Sequence, residues 1–366
     1  MAADCFRDED LAAACHCLRI DRYPGDLEHV ASAFPACPWL YTGGLENHPQ
    51  LVDRIAERRT LLGNSGRVLR QVRNPFRLAE ALRDAGLPSL EVFDVPPGDG
   101  RGLWLRKPRK SGGGQRIEFV AHLPPKLAET NREAEPSSDV SAGPPGAFYY
   151  QQFASGTACS AIFVAAQGKA LWYGATWQLI GTPWTGARRF EYAGSLGPLD
   201  VTAHERTEWE AIGDCLVRSF ALSGLFGVDA VMTEEGICVV EVNPRYTASV
   251  EVIELAYETA LLPLHVRACQ SGELPPAGPV SPHRRVGKAI LYAQQTGRVP
   301  VGFDALVRRL NADPLRPTVA DIPAVGTEFS AGNPLVTVLA HAETLDAAEC
   351  SLRANVAVVQ AAVNHI

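Results

Sequence analysis

Phe226-Gly227-Val228-Asp229-Ala230-Val231-Met232, the turn Thr233-Glu234-Glu235-Gly236, and Ile237-Cys238-Val239-Val240-Glu241-Val242-Asn243-Pro244-Arg245 decide how this chain is read. Two apolar runs rich in β-branched residues, joined by a short polar turn, predict a β-hairpin. The strand period of two puts Glu241 and Asn243 on one face, with Cys238, Val240 and Val242 on the other. Folding the hairpin about Glu235 sets Asp229 directly opposite Glu241. Two carboxylates facing each other inside an otherwise apolar sheet repel strongly at low effective dielectric. A divalent cation relieves that repulsion, and the all-oxygen set of Asp229, Glu241 and Asn243 suits Mg²⁺ or Mn²⁺. An edge hairpin whose acids face water would show the same residues, and a slip of one residue would send Asp229 to the other face.

Working outward, Arg245 lies two residues beyond Asn243, where a guanidinium can brace a phosphoryl group. A salt bridge to Glu251 or Glu254 is its alternative use. Upstream, Leu103 and Leu105 alternate with Trp104 and Arg106 up to Lys107-Pro108, and Ser111-Gly112-Gly113-Gly114 then leads into Ile117-Glu118-Phe119-Val120. The glycines therefore join two strands. Such a loop can bring backbone N–H groups around phosphate oxygens, with Lys107 as a point charge at its base. A flexible turn with Lys107, Arg109 and Lys110 in solvent would read the same way. There is no Gly-Lys-Ser/Thr opening a helix and no Gly-x-Gly-x-x-Gly fingerprint.

The rest of the chain supplies the frame. Asn74 before Pro75 predicts a capped helix carrying Phe76, Ala79, Leu82 and Ala85, closed by Gly86. Residues 122–146 are rich in Pro, Ser, Glu and Ala without a period and read as a loop. Strands are expected at 148–153, 159–166, 170–175 and 188–192 in an antiparallel sheet. A helix follows with Trp209, Ile212, Leu216 and Phe220 on one face and Gly224 at its end. Another helix is expected over 249–268, a boundary at the prolines and glycine of 275–282, strands at 289–293 and 335–340, and a closing helix over 345–363.

With 366 residues, 46% hydrophobic and 20% charged, the chain has enough apolar material for two or three domains with real cores. Its 34 Lys+Arg against 41 Asp+Glu give a net charge of -7, which argues against a dedicated nucleic-acid binder. No apolar run is long enough to span a bilayer, and the start lacks a secretory pattern, so a cytoplasmic location is expected. Nine scattered cysteines fit reduced, buried thiols. Cys15-His16-Cys17 has no second ligand pair and does not read as a metal site.

Taken together, Lys107-Pro108 before a glycine loop, Gln151-Gln152-Phe153-Ala154-Ser155-Gly156, Asp229, and Glu241-Val242-Asn243-Pro244-Arg245 resemble the ATP-grasp superfamily, carboxylate–amine ligase type. The resemblance covers roughly residues 70–268. It implies mixed α/β and α+β architecture in three parts. These are an N-terminal open α/β domain (1–72), an ATP-grasp domain (73–270, with subdomains 73–147 and 148–270), and a small β-rich α+β C-terminal domain (271–366). It implies that Lys107 holds the α/β-phosphates of ATP, that Ser111 and Gly112 to Gly114 close over the triphosphate, and that Gln151, Gln152 and Phe153 form the adenine hinge. Asp229, Glu241 and Asn243 would hold two Mg²⁺ ions, and Arg245 would stabilise the γ-phosphoryl group and an acyl phosphate. The implied partners are a small-molecule carboxylate and amine, and a second copy of the chain in a homodimer.

Three departures stand out. Residues 156–159 offer no acid for the ribose. Pro75 occupies the place of an earlier lysine that many relatives carry, leaving Arg70 or Arg73 as poor substitutes. The start at Met1 looks like a second strand, as if the first βα unit were missing or altered. An ATP-binding scaffold with a degenerate site is therefore the alternative to a ligase. Residues 227–255 resemble the branch containing amino-acid ligases and the tyramine–glutamate ligase of methanofuran-type, one-carbon cofactor synthesis.

Overall fold

The computed structural model describes residues 1–97, 102–120, 146–275, 278 and 281–364. Most of the loop expected at 122–146 lies outside them. The chain opens with a parallel pair, β1 (Ala2–Asp4) and β2 (Cys17–Arg19), linked by α1 (Glu9–Ala14). Then come α2 (Leu27–Ala33), a 3-10 turn at Leu45–Asn47, α3 (Pro49–Ala56) and α4 (Gly66–Val72). Helix α5 (Pro75–Asp84) starts where Asn74 and Pro75 require: the Asn74 side chain accepts from the N–H groups of Phe76 and Arg77. Its buried stripe is Leu78, Ala79 and Leu82, whereas Ala85, expected on that stripe, is exposed beyond the helix end.

A four-stranded sheet with order β3-β6-β4-β5 forms one wall of the molecule: β3 (Val92–Phe93), β4 (Trp104–Pro108), β5 (Glu118–Phe119) and β6 (Phe148–Gln152). The opposing wall is an eight-stranded sheet. It contains β7 (Thr157–Ala166), β8 (Lys169–Ile180), β9 (Tyr192–Gly197), β10 (Gly224–Thr233) and β11 (Gly236–Asn243). It continues through β12 (Arg285–Tyr292), β14 (Val319–Ala320) and β16 (Pro334–Ala342), in the order β11-β10-β7-β8-β9-β12-β16-β14. Strands on both sides of the boundary expected near residue 271 thus share one sheet, while β13 (Gly297–Arg298) and β15 (Glu328–Phe329) form a small ribbon.

Helix α6 (Ala203–Phe220) lays Trp209, Ile212, Leu216 and Phe220 against Phe163 and Phe226, which stack at 5.0 Å. On the other face, α7 (Ala248–Tyr257) and α8 (Leu262–Ser271) cover Ile162, Val164 and Leu225. The single helix expected over 249–268 is two, because Glu258 takes a left-handed conformation and Pro263 begins a new first turn. Helix α9 (Phe303–Leu310) and α10 (Leu345–Asn364) close a second core over β12 and β16.

Two further expectations are corrected. The strand placed at 188–192 lies instead at Tyr192–Gly197, where glycines hide it. They are needed there, since a Cβ on Gly194 would come within 1.9 Å of Lys288 O. Gly224 does not end α6, which is closed by left-handed Ala221; it opens β10. A Cβ on Gly224 would stand 2.3 Å from His265 Nδ1.

His265 and Asn64 dock the N-terminal helices onto the large sheet. His265 Nδ1 accepts from Leu225 N (2.8 Å), so Nε2 carries the proton donated to Leu62 O (3.0 Å). Asn64 donates to Ser223 O and Pro244 O and accepts from Ser223 N. Burial holds the His265 pKa below its ordinary value. The unfolded chain therefore binds the proton more readily, so the stability His265 provides is complete above pH ~6.5 and is lost as pH falls below that. We expect the urea midpoint of the wild type to drop more between pH 7.5 and 5.5 than that of His265→Gln. Equal drops would remove His265 from the docking.

Candidate active site

Asp229 and Glu241 are opposite each other, and a β-bulge puts them there. The turn pairs Thr233 with Gly236, and regular pairing runs to Ala230 with Val239. Continued unchanged, that register would set Asp229 against Val240. Val240 is instead an extra residue, so Asp229 pairs with Glu241. The carbonyl of Val240 accepts from Gln151 Nε2 (3.3 Å), and Gln151 Oε1 accepts from Lys107 Nζ (2.9 Å). The bulge thus ties the metal-type acids to the buried lysine of the facing sheet.

The two sheets enclose a cleft of about 370 Å³. Lys107, Asp229, Glu241, Asn243 and Arg245 line it, as do Gly112 to Gly114 and Gln151 to Phe153. Ser111 does not line it: its carbonyl turns outward to accept from Arg73 Nη2 and Asn47 Nδ2, both at 3.2 Å. The glycine loop is folded down over the cleft. Gly113 O accepts from Tyr192 N (3.1 Å), and left-handed Gly114 lies so close that a Cβ there would meet Phe190 O at 1.7 Å. At the hinge, the N–H groups of Gln152 and Phe153 already bond Glu91 O and Leu103 O. Gln152 also turns its side chain to Glu91 N, so Gln151 is the inward-bonded member of the expected trio.

The acids are held in different ways. Asp229 accepts from Gln178 Nε2 and Asn243 Nδ2, both at 2.8 Å. Burial first, then the negative charge of Glu241, push its pKa up to about 6. Burial also acts to raise Glu241, but the positive charges of Arg73 and then Lys107 outweigh it and hold that carboxyl below its ordinary value. Arg73 Nη1 stands 2.9 Å from Glu241 Oε1. Two hard carboxylates and an amide oxygen lining one cleft fit a divalent cation completed by phosphate oxygens. The raised Asp229 marks a negative charge that the protein's own cations leave uncompensated.

Arg245 does not reach Glu251 or Glu254. Its Nε and Nη2 both donate to Glu46 Oε1, at 2.9 and 2.7 Å, and its Nη1 donates to Tyr246 O. Glu251 pairs with Lys288, and Glu254 accepts from Tyr246 and Leu261. Glu46, which no local sequence signal singles out, sits in the 3-10 turn Leu45–Asn47 and is almost wholly buried, 1% by side chain. Of the two arginines offered in place of the earlier lysine, Arg73 reaches the site through Glu241, and Arg70 turns away to Asp53. Thr247, at the N-terminus of α7, lines the cleft with a buried hydroxyl that has no partner among the described residues. Its position six residues after Glu241 is the only sequence signal it carries. Among the described residues no group of three or more His, Cys, Asp or Glu gathers, and the nine cysteines are unpaired.

Residues 72–249 match the family model of the ATP-grasp domain. Solved structures of low identity share the architecture. The biotin carboxylase domain dimer of 2-oxoglutarate carboxylase from Hydrogenobacter thermophilus, with MgADP, ADP and bicarbonate, is 14% identical with a TM-score of 0.71. The match covers 97% of this chain and 83% of that one. Carboxyaminoimidazole ribonucleotide synthase from Aspergillus clavatus, complexed with ATP, is 14% identical with a TM-score of 0.65, covering 98% of this chain and 91% of that one. L-amino acid ligase from Bacillus licheniformis is 15% identical with a TM-score of 0.63, over 93% and 85%. No curated protein sequence matches the chain.

Proposed function

On the footing that residues 72–249 are an ATP-grasp domain, we propose that this chain is an ATP-dependent carboxylate–amine ligase that uses Mg²⁺ or Mn²⁺. The observation that carries the reading is the convergence of Lys107, the glycine loop and the Asp229/Glu241/Asn243 set on one cleft between two sheets. In this reaction class a substrate carboxylate oxygen attacks the γ-phosphorus of ATP as ADP leaves. An amine then displaces phosphate from the acyl phosphate. Catalysis of this kind is mostly positioning and neutralisation of charge. A bound cation would supply charge neutralisation and a template for the phosphates.

The chain's own residues account for the rest. Lys107 donates to phosphate oxygens from a buried position, and Gly112 to Gly114 exclude water above them. Asp229 and Glu241, with Asn243 between them and Arg73, would hold the cation. Arg245, oriented by Glu46, would brace the γ-phosphoryl group, and the Thr247 hydroxyl, which has no partner among the described residues, offers a donor to a substrate oxygen. The substrates are a small-molecule carboxylate and amine, and a second copy of the chain is the expected partner. The narrower placement in one-carbon cofactor synthesis, next to tyramine–glutamate ligase, rests on the resemblance of residues 227–255 alone.

Release of ADP and phosphate across a panel of carboxylates and amines tests the reaction. Tight ATP binding with no turnover across a broad panel would favour a degenerate scaffold instead. Lys107→Met removes a charge-assisted hydrogen bond of about 1.5–3 kcal/mol, so calorimetry should show ATP binding some tenfold to hundredfold weaker. Unaltered affinity would take Lys107 out of the phosphate site.

A further inference from the structure

The resemblance implies two cations on Asp229, Glu241 and Asn243, but one of those places is already filled. Arg73 lies between α4 and α5, with buried Val72 before it and the capping Asn74 after it, so its backbone is fixed on both sides. Its side chain is only 12% exposed. Nη1 stands 2.9 Å from Glu241 Oε1 and 3.4 Å from Asn243 Oδ1, and Nη2 is 3.2 Å from Ser111 O. One guanidinium nitrogen therefore bridges the carboxylate and amide oxygens that a second cation would have to share. A Mg²⁺ ion needs its oxygens at about 2.0–2.1 Å, in the space that Nη1 occupies. Guanidinium does not lose its proton in a protein, so the charge stays.

Asp229 is on the other side. Its carboxylate accepts from the Gln178 and Asn243 amides with the Ser160 hydroxyl beside it, no guanidinium or ammonium is seen bonded to it among the described residues, and it faces Glu241 across the ladder at the cleft. Arg73 alone cancels one of the two carboxylate charges, and Lys107 beside Glu241 reduces further what a second cation could neutralise, which suits one divalent cation shared with a triphosphate.

We infer that Arg73 is a positioning residue standing in for one of the two cations, so that the site takes a single divalent cation with its nucleotide. Through Ser111 O the same side chain links the occupied acids to the closed glycine loop. This rests on the reading of the cleft as a metal–nucleotide site, and the test separates the two.

The full chain is titrated with Mn²⁺ in the presence of a non-hydrolysable ATP analogue, and bound Mn²⁺ is counted by electron paramagnetic resonance while nucleotide is counted by equilibrium dialysis. One Mn²⁺ per bound nucleotide is expected for the wild type and two for Arg73→Met, which keeps bulk and removes charge. Two Mn²⁺ in the wild type, or one in Arg73→Met, would overturn the inference while leaving the nucleotide site intact. Nucleotide that fails to bind at all would remove the reading beneath it, and this inference with it. The wild-type count decides the matter even if Arg73→Met does not fold.

Discussion

Asp229→Asn is expected to lower ATP-dependent turnover about a thousandfold while leaving the metal-free fold at least as stable as before. The loss of turnover follows from removing one of two carboxylates that hold the cation; about 4 kcal/mol of charge stabilisation corresponds to that factor. The stability change follows from electrostatics. The Asp229 pKa is raised from an ordinary 3.8 to about 6 by burial and by Glu241. A raised acid binds its proton more tightly in the folded chain. Its contribution is therefore fully favourable below pH ~4 and is lost as pH rises through about 6. Ionised Asp229 therefore opposes folding at neutral pH.

Asparagine carries no such charge. Urea unfolding in chelator, repeated from pH 4 to 8, should give a flatter pH dependence for the variant and a higher midpoint at pH 8. The same slope in both proteins would show that Asp229 and Glu241 are not electrostatically opposed. Turnover within tenfold of wild type would remove Asp229 from the cation site.

Glu46→Ala should have the largest effect on stability of any single change described. It strips the partner from Arg245, whose side chain is 16% exposed and whose Nε and Nη2 both rest on Glu46 Oε1. Breaking a buried pair from one side leaves an uncompensated charge and costs about 3–5 kcal/mol. Glu46→Gln, which keeps an acceptor oxygen, should cost less. The urea midpoint at pH 7.5 measures both. A loss below about 1 kcal/mol, as for a solvent-exposed pair, would mean that Arg245 finds another partner and that the N-terminal helices do not fix its orientation.

Much of the frame could be read locally. Asn74 and Pro75 specify the start of α5 because the cap and the fixed proline φ act within three residues. The α6 face of Trp209, Ile212, Leu216 and Phe220 follows from helical period, and the hairpin from apolar runs around a polar turn. Lys107, the glycines and the three oxygen donors could be singled out because each departs from the pattern around it. What escaped the reading was long-range. Arg73 meets Asn243 across 170 positions and Arg245 meets Glu46 across 199, and no periodicity reports on such distances. Strand β9 is hidden because Gly194 suits the close approach of β12 and Gly197 that of β8, rather than any strand propensity.

By itself the sequence determined that two strands return on each other after Thr233 and that acids lie within them, since alternation and turn chemistry are local properties of a chain. Folding about Glu235 sets Asp229 opposite Glu241, as the structure has it, but local turn chemistry does not fix that register. The tight turn alone would have set Asp229 against Val240. The tertiary structure decided otherwise by bulging Val240, whose freed carbonyl takes the Gln151 amide from the opposite sheet. Register in a hairpin is fixed by what packs and bonds against it, and here that partner lies 89 positions away.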